Sequence, residues 1–197
     1  MSLTMKAVLI FFAYILGSIP MGVILSSLIG GGDIRESGSG NIGATNVYRT
    51  HGKKLGALTL FADALKGALP TLIAMFLGLG AFWVSLIGLA AFMGHLYPVF
   101  LQFKGGKGVA TALGVFAAIS PVALLCSAAI FALMVYKFRY VSLGSLTAAA
   151  AMPLLVGLVN SSDDKSYIIL STAIAVMVFI KHKANIKRLL NREELKI

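Results

Sequence analysis

Long runs without charged residues dominate the chain, and short polar segments separate them. Residues 7–29 carry no charge over 23 positions, and residues 108–136 carry none either. Between residues 67 and 103 the only basic or acidic side chain is His95. Runs of eighteen or more apolar residues are typical of helices that span a membrane. The pattern therefore predicts an all-α fold, a polytopic bundle of membrane helices.

The apolar run at residues 108–136 is interrupted at Ile119-Ser120-Pro121. A residue that precedes proline disfavours helix, so the run is predicted to form two short helices, 108–119 and 121–136. The first would be about 18 Å long at 1.5 Å per residue, which is less than a hydrocarbon core of roughly 30 Å. We therefore expect this pair to enter the membrane and return to the same side.

The basic residues lie between the apolar runs, and such residues are enriched in cytoplasmic loops. Segments 30–55, 103–108, 137–139 and 181–197 are basic, whereas 78–80 and 160–166 hold one lysine between them. With the returning pair, this predicts about seven membrane helices, an external N-terminus and 14 of the 17 Lys and Arg residues inside. We expect one membrane-embedded domain, residues 1–197, in the bacterial cytoplasmic membrane, with its functional loops facing the cytoplasm.

The composition also favours a membrane protein over a soluble one. The chain is 58% hydrophobic and only 12% charged, too apolar for a soluble domain of 197 residues. In a soluble protein, a net charge of +10 would suggest that the partner is nucleic acid. Here the basic residues lie in loops between membrane spans and indicate the orientation of the protein in the membrane, so no nucleic-acid partner is expected. Between Asp63 and Asp163 there is no acidic residue, which fits either an anionic ligand or positive-inside bias. The single cysteine, Cys126, supports neither a disulfide nor a cysteine metal site, and we expect no metal and no cofactor.

The first polar segment contains Gly-Ser-Gly-Asn-Ile-Gly at residues 38–43, which matches the dinucleotide-binding pattern G-x-G-x-x-G. The match follows a membrane helix rather than a buried strand, so a Rossmann site is excluded. Glycines also let backbone N–H groups face phosphate oxygens, and an arginine grips phosphate with two parallel bonds. The alternative is a flexible connector. The candidate phosphate ligands here are Ser39, Gly40, Asn41, Thr45, Asn46 and Arg49.

Two further segments carry candidate chemistry. Lys104-Gly105-Gly106-Lys107 precedes a predicted helix, whose N-terminus attracts anions. The basic segment after the last apolar run holds His182 and Asn185, which share a face if the segment is helical. It could equally be a stop-transfer patch.

Three residues within or beside the apolar runs are also notable. His95 is expected to be a structural, hydrogen-bonded histidine. Asp63 and Lys66 lie three apart within a span, where ionisable residues are functional candidates. A structural ion pair is an equally good reading of these two.

The segments SGSGNIGATNVYR, GHLYPVFLQFKGGKGVAT and KHKANIKRLL closely resemble the three signature motifs of the bacterial acyl-phosphate:glycerol-3-phosphate acyltransferases, the PlsY family. The resemblance covers essentially the whole chain. It implies an integral membrane enzyme that transfers a fatty acyl group from acyl phosphate to the 1-hydroxyl of sn-glycerol 3-phosphate. The products would be lysophosphatidic acid and phosphate, the first step of bacterial phospholipid synthesis.

The resemblance also implies residue roles. Asn185, His182 and Ser39 are the predicted catalytic residues, with Asn185 aligning or polarising the reacting groups. The predicted phosphate-binding set is Ser39, Gly40, Asn41, Thr45, Arg49, Lys104, Gly105, Gly106 and Lys107, with His182 as an additional contact. The expected partners are acyl phosphate, glycerol 3-phosphate and membrane lipids, and the expected state is a monomer.

Alternative functions leave recognisable signs. The His-x4-Asp motif of carrier-dependent acyltransferases is absent, because none of the three histidines is followed by aspartate five residues later. A transporter or binding protein for an organophosphate would favour repeats and polar residues at the bilayer midplane.

Two candidates remain for the group that accepts the hydroxyl proton: His182 and a phosphate oxygen of a substrate. The substrate oxygen is favoured. Asp33 and Glu36 precede the glycine core, and Asp63 is expected to pair with Lys66. Asp163 and Asp164 are expected outside, and Glu193 and Glu194 in the far tail.

Overall fold

The structure is a computed structural model that describes residues 1–30, 32–160 and 165–197. All regular structure within these ranges is helical, so the predicted all-α class is confirmed. The α-helices are α1 (Leu3–Ser18), α2 (Met21–Leu28), α3 (Ala44–His51), α4 (Lys53–Phe76), α5 (Ala81–Leu96), α6 (Val109–Ile119), α7 (Pro121–Phe138), α8 (Val141–Val159), α9 (Ser166–Lys181) and α10 (Lys183–Leu190). Two 3₁₀ turns are Ile34–Glu36 and Val99–Leu101.

Several helices are suited to a lipid environment. Within the described ranges α4, α5 with the turn after it, α7 and α8 are each long and apolar enough to cross a membrane. The pairs α1–α2 and α9–α10 meet the same test as bent spans, with angles of 41° and 60°. Large side chains such as Phe12, Phe61 and Leu125 are exposed on them, and a broad apolar exterior suits lipid rather than water. The predicted multi-pass membrane protein is confirmed.

The break between α6 and α7 lies where the sequence predicts it. α6 ends at Ile119, Ser120 is non-helical, and Pro121 occupies the first turn of α7, where proline needs no N–H partner. α7 continues to Phe138 and so includes Lys137, which was expected in a loop. α6 has 11 residues and is too short to cross, whereas α7 has 18 and is long enough by itself. The return of this pair to one side stays a prediction.

The chain divides into two compact units, residues 1–118 and 119–197. In the first unit α1 packs against α5 and α4, and α2 packs against α4 and α3. The α1–α5 crossing is close, because a Cβ on Gly17 would overlap the carbonyl of Ala91 and one on Gly94 would overlap the carbonyl of Tyr14. Small residues allow such backbone contact between membrane helices. The prediction of a single domain over residues 1–197 stays a prediction.

In the second unit α8 packs against both α7 and α9, with Val156, Ile174 and Val178 buried between helices. The residues after α10 return to the α7–α8 corner, where the N–H of Ile197 donates to the carbonyl of Arg139 over 3.0 Å. The C-terminal tail is therefore part of the packed unit. Asp163 and Asp164, which were expected outside the membrane, lie outside the described residues.

Candidate active site

The first motif combines a turn-rich loop with a short helix. Residues 30–55 were treated as one loop, but α3 begins at Ala44 and carries Thr45 and Arg49 one turn apart. Its eight residues are mostly polar and show no long apolar pattern, which is why the sequence did not indicate it. Ser39 is exposed, while Thr45 and Arg49 are partly buried.

Asn46 organises this loop from within. Its side chain is buried, its Oδ1 accepts from the N–H of Ser39 over 2.8 Å, and its Nδ2 donates to the carbonyls of Ile34 and Ser37 over 3.0 Å each. The Asn46 amide was expected to donate a hydrogen bond to the ligand. Instead its three hydrogen bonds stabilise the conformation of the loop. Asn46 is therefore a structural residue of the motif.

Two other polar groups of the loop, on Asn41 and Gly40, are also engaged within it. Asn41 Oδ1 accepts from the N–H of Gly43 over 2.9 Å, and the N–H of Gly40 donates to the carbonyl of Ser37 over 3.0 Å. Gly40 has φ of +68°, which side chains rarely adopt. The glycine pattern thus serves the conformation of the loop, and the contact of Gly40 and Asn41 with phosphate stays a prediction.

The second motif packs on the end of α5. The N–H of Gly106 donates to the carbonyl of His95 over 3.1 Å. A Cβ on Gly105 would overlap the carbonyls of His95 and Leu96, and a Cβ on Gly106 would overlap the His95 ring. These glycines permit close packing, a reason that the sequence did not disclose. Lys104 is exposed and Lys107 is partly buried just before α6.

His182 lies in the third motif, at the junction of α9 and α10, and is 2% exposed. Its Nδ1 is 2.8 Å from the carbonyl oxygen of Val178. A carbonyl only accepts, so Nδ1 carries the proton in this contact. Nε2 of the neutral ring then accepts, and it donates only when the ring is charged.

Asn185 is the second buried side chain of this motif. Its Nδ2 donates to Oε1 of Glu194 over 2.6 Å. Within the described residues its Oδ1 is buried without a hydrogen-bond partner. The amide is assigned this way round because a carboxylate offers only acceptors, so Nδ2 must face Glu194.

Glu194 corrects the expectation of an uninvolved residue in the far tail. It is buried, and it also accepts from Ser142 Oγ over 2.8 Å and from Arg188 Nε over 2.7 Å. Burial alone raises the pKa of Glu194. The hydrogen bonds from Asn185, Ser142 and Arg188 outweigh burial and hold that pKa below its ordinary value of 4.5.

No local signal in the sequence identified this contact. Ser142 and Glu194 are 52 positions apart, and the charged segment Arg192–Lys196 resembles an ordinary solvated tail. The return of the chain after α10 brings them together.

The candidate residues thus fall into two groups. Ser39, Thr45, Arg49 and Lys107 lie in the first unit with the rest of motifs one and two. His182 and Asn185 lie in the second unit, one at the start of α10 and the other in its first turn. Asp63, Lys66 and His95 are buried in the first unit and contact one another. The expected Asp63–Lys66 pair is present.

Comparison with known proteins identifies the family. A sequence profile described as glycerol-3-phosphate acyltransferase matches residues 7–192. The chain is 55% identical to the glycerol-3-phosphate acyltransferase of Syntrophotalea carbinolica and 56% identical to that of Geotalea daltonii, with 95% of each chain covered in both cases.

Solved structures agree with this assignment. The crystal structure of PlsY (YgiH), an integral membrane glycerol 3-phosphate acyltransferase, in its glycerol 3-phosphate form has a TM-score of 0.92 and 42% identity. The match covers 98% of this chain and 95% of that one. The lysophosphatidic acid form has a TM-score of 0.90 and 41% identity over the same shares. The chain therefore belongs to the glycerol-3-phosphate acyltransferase family of integral membrane enzymes.

Proposed function

We propose that this acyltransferase moves a fatty acyl group from acyl phosphate to the 1-hydroxyl of sn-glycerol 3-phosphate. The observation that carries the proposal is the full-length match to PlsY structures in both a glycerol 3-phosphate form and a lysophosphatidic acid form. This chain supplies cations and hydroxyls that suit phosphate. Its exposed apolar helix faces suit an acyl chain. No comparable observation favours a transporter.

The reaction needs no covalent intermediate on the protein. The hydroxyl oxygen attacks the carbonyl carbon of acyl phosphate, a C–O ester bond forms, and the bond from carbon to the phosphate oxygen breaks. The hydroxyl proton ends on the released phosphate, so atoms and charge balance. The mixed anhydride is already activated, and the protein must position the hydroxyl and stabilise the developing negative charge.

Phosphate binding falls to the cationic and hydroxyl side chains of motifs one and two. Arg49 presents a planar fork of donors that suits phosphate, and Lys107 adds a point charge. Ser39 and Thr45 supply hydroxyls beside them. Lys104, Gly105 and Gly106 are the remaining proposed ligands of this motif. In this structure the N–H of Gly106 donates to the carbonyl of His95.

Asn185 is proposed to position the attacking hydroxyl. Because the Asn185 Nδ2 donates to Glu194, the buried Oδ1 of Asn185 can accept a hydrogen bond from a substrate. The 1-hydroxyl of glycerol 3-phosphate is a donor of the right kind. Acceptance by Asn185 would aim an oxygen lone pair at the acyl carbon while leaving the proton transfer to a stronger base.

The proton acceptor is proposed to be a substrate phosphate oxygen. Arg35 donates to Asp33 through its side chain and lowers the pKa of Asp33 to about 2, which makes Asp33 a poor base. Glu194 accepts three hydrogen bonds, which hold its pKa below the ordinary value and weaken it as a base. His182 is the rival, since its Nδ1 contact leaves Nε2 as an acceptor when the ring is neutral.

The charge pattern supports a place and an orientation for the enzyme. We propose that it lies in the bacterial cytoplasmic membrane with all three motifs facing the cytoplasm, because the basic segments flank them. The acyl chain and surrounding lipids would contact the exposed apolar helix faces. We also propose that the enzyme acts as a monomer.

The test uses purified protein, acyl phosphate and glycerol 3-phosphate. Phosphate release that depends on glycerol 3-phosphate, with formation of lysophosphatidic acid, is expected. Arg49→Ala and Lys107→Ala should each lower kcat/KM by about tenfold to a hundredfold, because a charge-assisted hydrogen bond contributes roughly 1.5–3 kcal/mol. Lys183→Ala, at an exposed position of α10, is the matched control and should change little. Equal losses in all three would indicate a diffuse charge effect instead of a site.

A further inference from the structure

Three ionisable side chains form a polar cluster inside the apolar helices of the first unit. Asp63 and Lys66 lie on α4, His95 lies in the last turn of α5, and all three are at most 4% exposed. Lys66 Nζ is 2.9 Å from Asp63 Oδ1, and His95 Nδ1 is 3.6 Å from the same oxygen. A buried ion pair is weak evidence for stability, because its desolvation offsets the attraction.

His95 connects the polar cluster to the second motif. Its carbonyl accepts from the N–H of Gly106, and its ring occupies the space where a Cβ on Gly106 would be. The Nε2 atom is the part of the ring that such a Cβ would meet first. Asp63 Oδ1 is 3.6 Å from Nδ1 of this ring, beyond hydrogen-bonding distance, so the contact is electrostatic. The backbone just before Lys107 therefore rests on a side chain that also contacts Asp63.

Lys66 connects the polar cluster to the first motif. Its Nζ also donates to the carbonyl of Ile19 over 2.9 Å, at the break between α1 and α2. The same carbonyl also accepts from the N–H of Met21 over 3.1 Å, so Lys66 is a second donor at this break. α2 then packs on the first loop, because a Cβ on Gly22 would overlap the carbonyl of Ile42. Lys66 therefore holds the helix on which residues 37–43 rest.

We propose that Asp63, Lys66 and His95 are positioning residues that hold both phosphate-binding loops on α4 and thereby set the affinity for glycerol 3-phosphate. This rests on the proposed function. The loop before Lys107 touches His95 directly, whereas the loop before Thr45 is linked to Lys66 through Ile19 and α2. His95 and Lys66 both contact Asp63. A shift of the Asp63–Lys66 pair would therefore displace both loops together. A displacement of about 1 Å is enough to weaken catalysis strongly.

A paired substitution tests the link from His95 to the second motif. Gly106→Ala should raise the KM for glycerol 3-phosphate by about tenfold, within the range of couplings between contacting residues. In a His95→Ala background, which vacates the overlapping ring, the same change should raise KM by no more than about twofold. Gly105→Ala is the matched control: it meets backbone carbonyls and Pro98, so its cost should be equal in both backgrounds.

A second set tests the ion pair. Asp63→Asn should raise the KM for glycerol 3-phosphate several-fold, with kcat changed less than KM. Lys66→Met should have a larger effect alone than in combination with Asp63→Asn, because the single change leaves a buried charge without its partner. If either variant is not recovered folded, Asp63→Glu, which keeps the charge but shifts the carboxylate, replaces it and should also raise the KM for glycerol 3-phosphate.

The outcomes separate this inference from the proposed function. A Gly106→Ala cost that is equal in both backgrounds, or an unchanged KM in folded His95→Ala and Asp63→Asn proteins, overturns the positioning role. If Arg49→Ala and Lys107→Ala leave the KM for glycerol 3-phosphate unchanged, the proposed phosphate site itself is wrong. Non-additive Gly106 and His95 effects together with weakened binding in those two variants support both.

Discussion

Replacement of Glu194 separates its contribution to stability from its effect on Asn185. Glutamine keeps the shape of the side chain, and its single carbonyl oxygen can still accept from Asn185 and Ser142. Its NH₂ group then faces Arg188 Nε, so a charge-assisted bond of 2.7 Å is replaced by two opposed donors. Leucine instead removes every acceptor and leaves the Asn185 amide free to rotate.

The magnitude follows from the burial of the pair. A hydrogen bond to a charged group contributes roughly 1.5–3 kcal/mol, but the Arg188 side chain is 35% exposed, so solvent screening favours the lower end. We expect Glu194→Gln to lose about 1.5–2 kcal/mol. For a chain of this length that is a fall of about 3–8 °C in the unfolding temperature. Its kcat should stay near that of the unchanged enzyme, because Asn185 keeps its acceptor.

Glu194→Leu should lower kcat by about tenfold or more, which corresponds to roughly 1.4 kcal/mol of transition-state stabilisation. The measurements are thermal unfolding in detergent and acyl transfer at saturating substrates below the unfolding temperature. Glu193→Gln, at the exposed neighbouring position, is the control and should change neither. If Glu194→Leu remains folded and keeps full kcat, the claim that Glu194 orients Asn185 is wrong.

Three other predictions use different measurements. His182→Gln should retain measurably more activity than His182→Leu, and Glu36→Gln should remain active; a loss of about a hundredfold or more in Glu36→Gln would contradict a substrate base. Lys104→Cys, at an exposed position of the second motif, should react in a Cys126→Ala background with an impermeant thiol reagent only from the cytoplasmic side, and reaction from outside would contradict the proposed orientation. Because the folded-state pKa of Glu194 is lowered, its stabilisation is fully present above about pH 4.5 and is lost as the pH falls through the lower folded-state value. Unfolding temperatures measured from neutral pH to well below pH 4.5 should show this loss in the unchanged protein and less of it in Glu194→Gln.

The three motifs show the limits of a local interpretation. Each was found by residue type and spacing, and each contributes side chains suited to phosphate chemistry. The sequence did not divide structural residues from candidate ligands within a motif. Asn46 and Arg49 both looked like ligand donors, yet the Asn46 amide makes three bonds inside its own loop. Backbone conformation decides which polar group turns inward, and no spacing rule encodes it.

The sequence by itself determined the membrane architecture, because the length of an uncharged run sets whether a helix can cross a bilayer. It also determined the break before Pro121, since proline restricts the residue before it through local sterics. Only the tertiary structure decided that Glu194 binds Asn185 and Ser142, and that the ring of His95 supports Gly106. These contacts depend on the path by which the chain returns after a helix, which is a property of the packed whole. A local pattern reports on a residue and its near neighbours, and the partner that gives each of these residues its role lies beyond that reach.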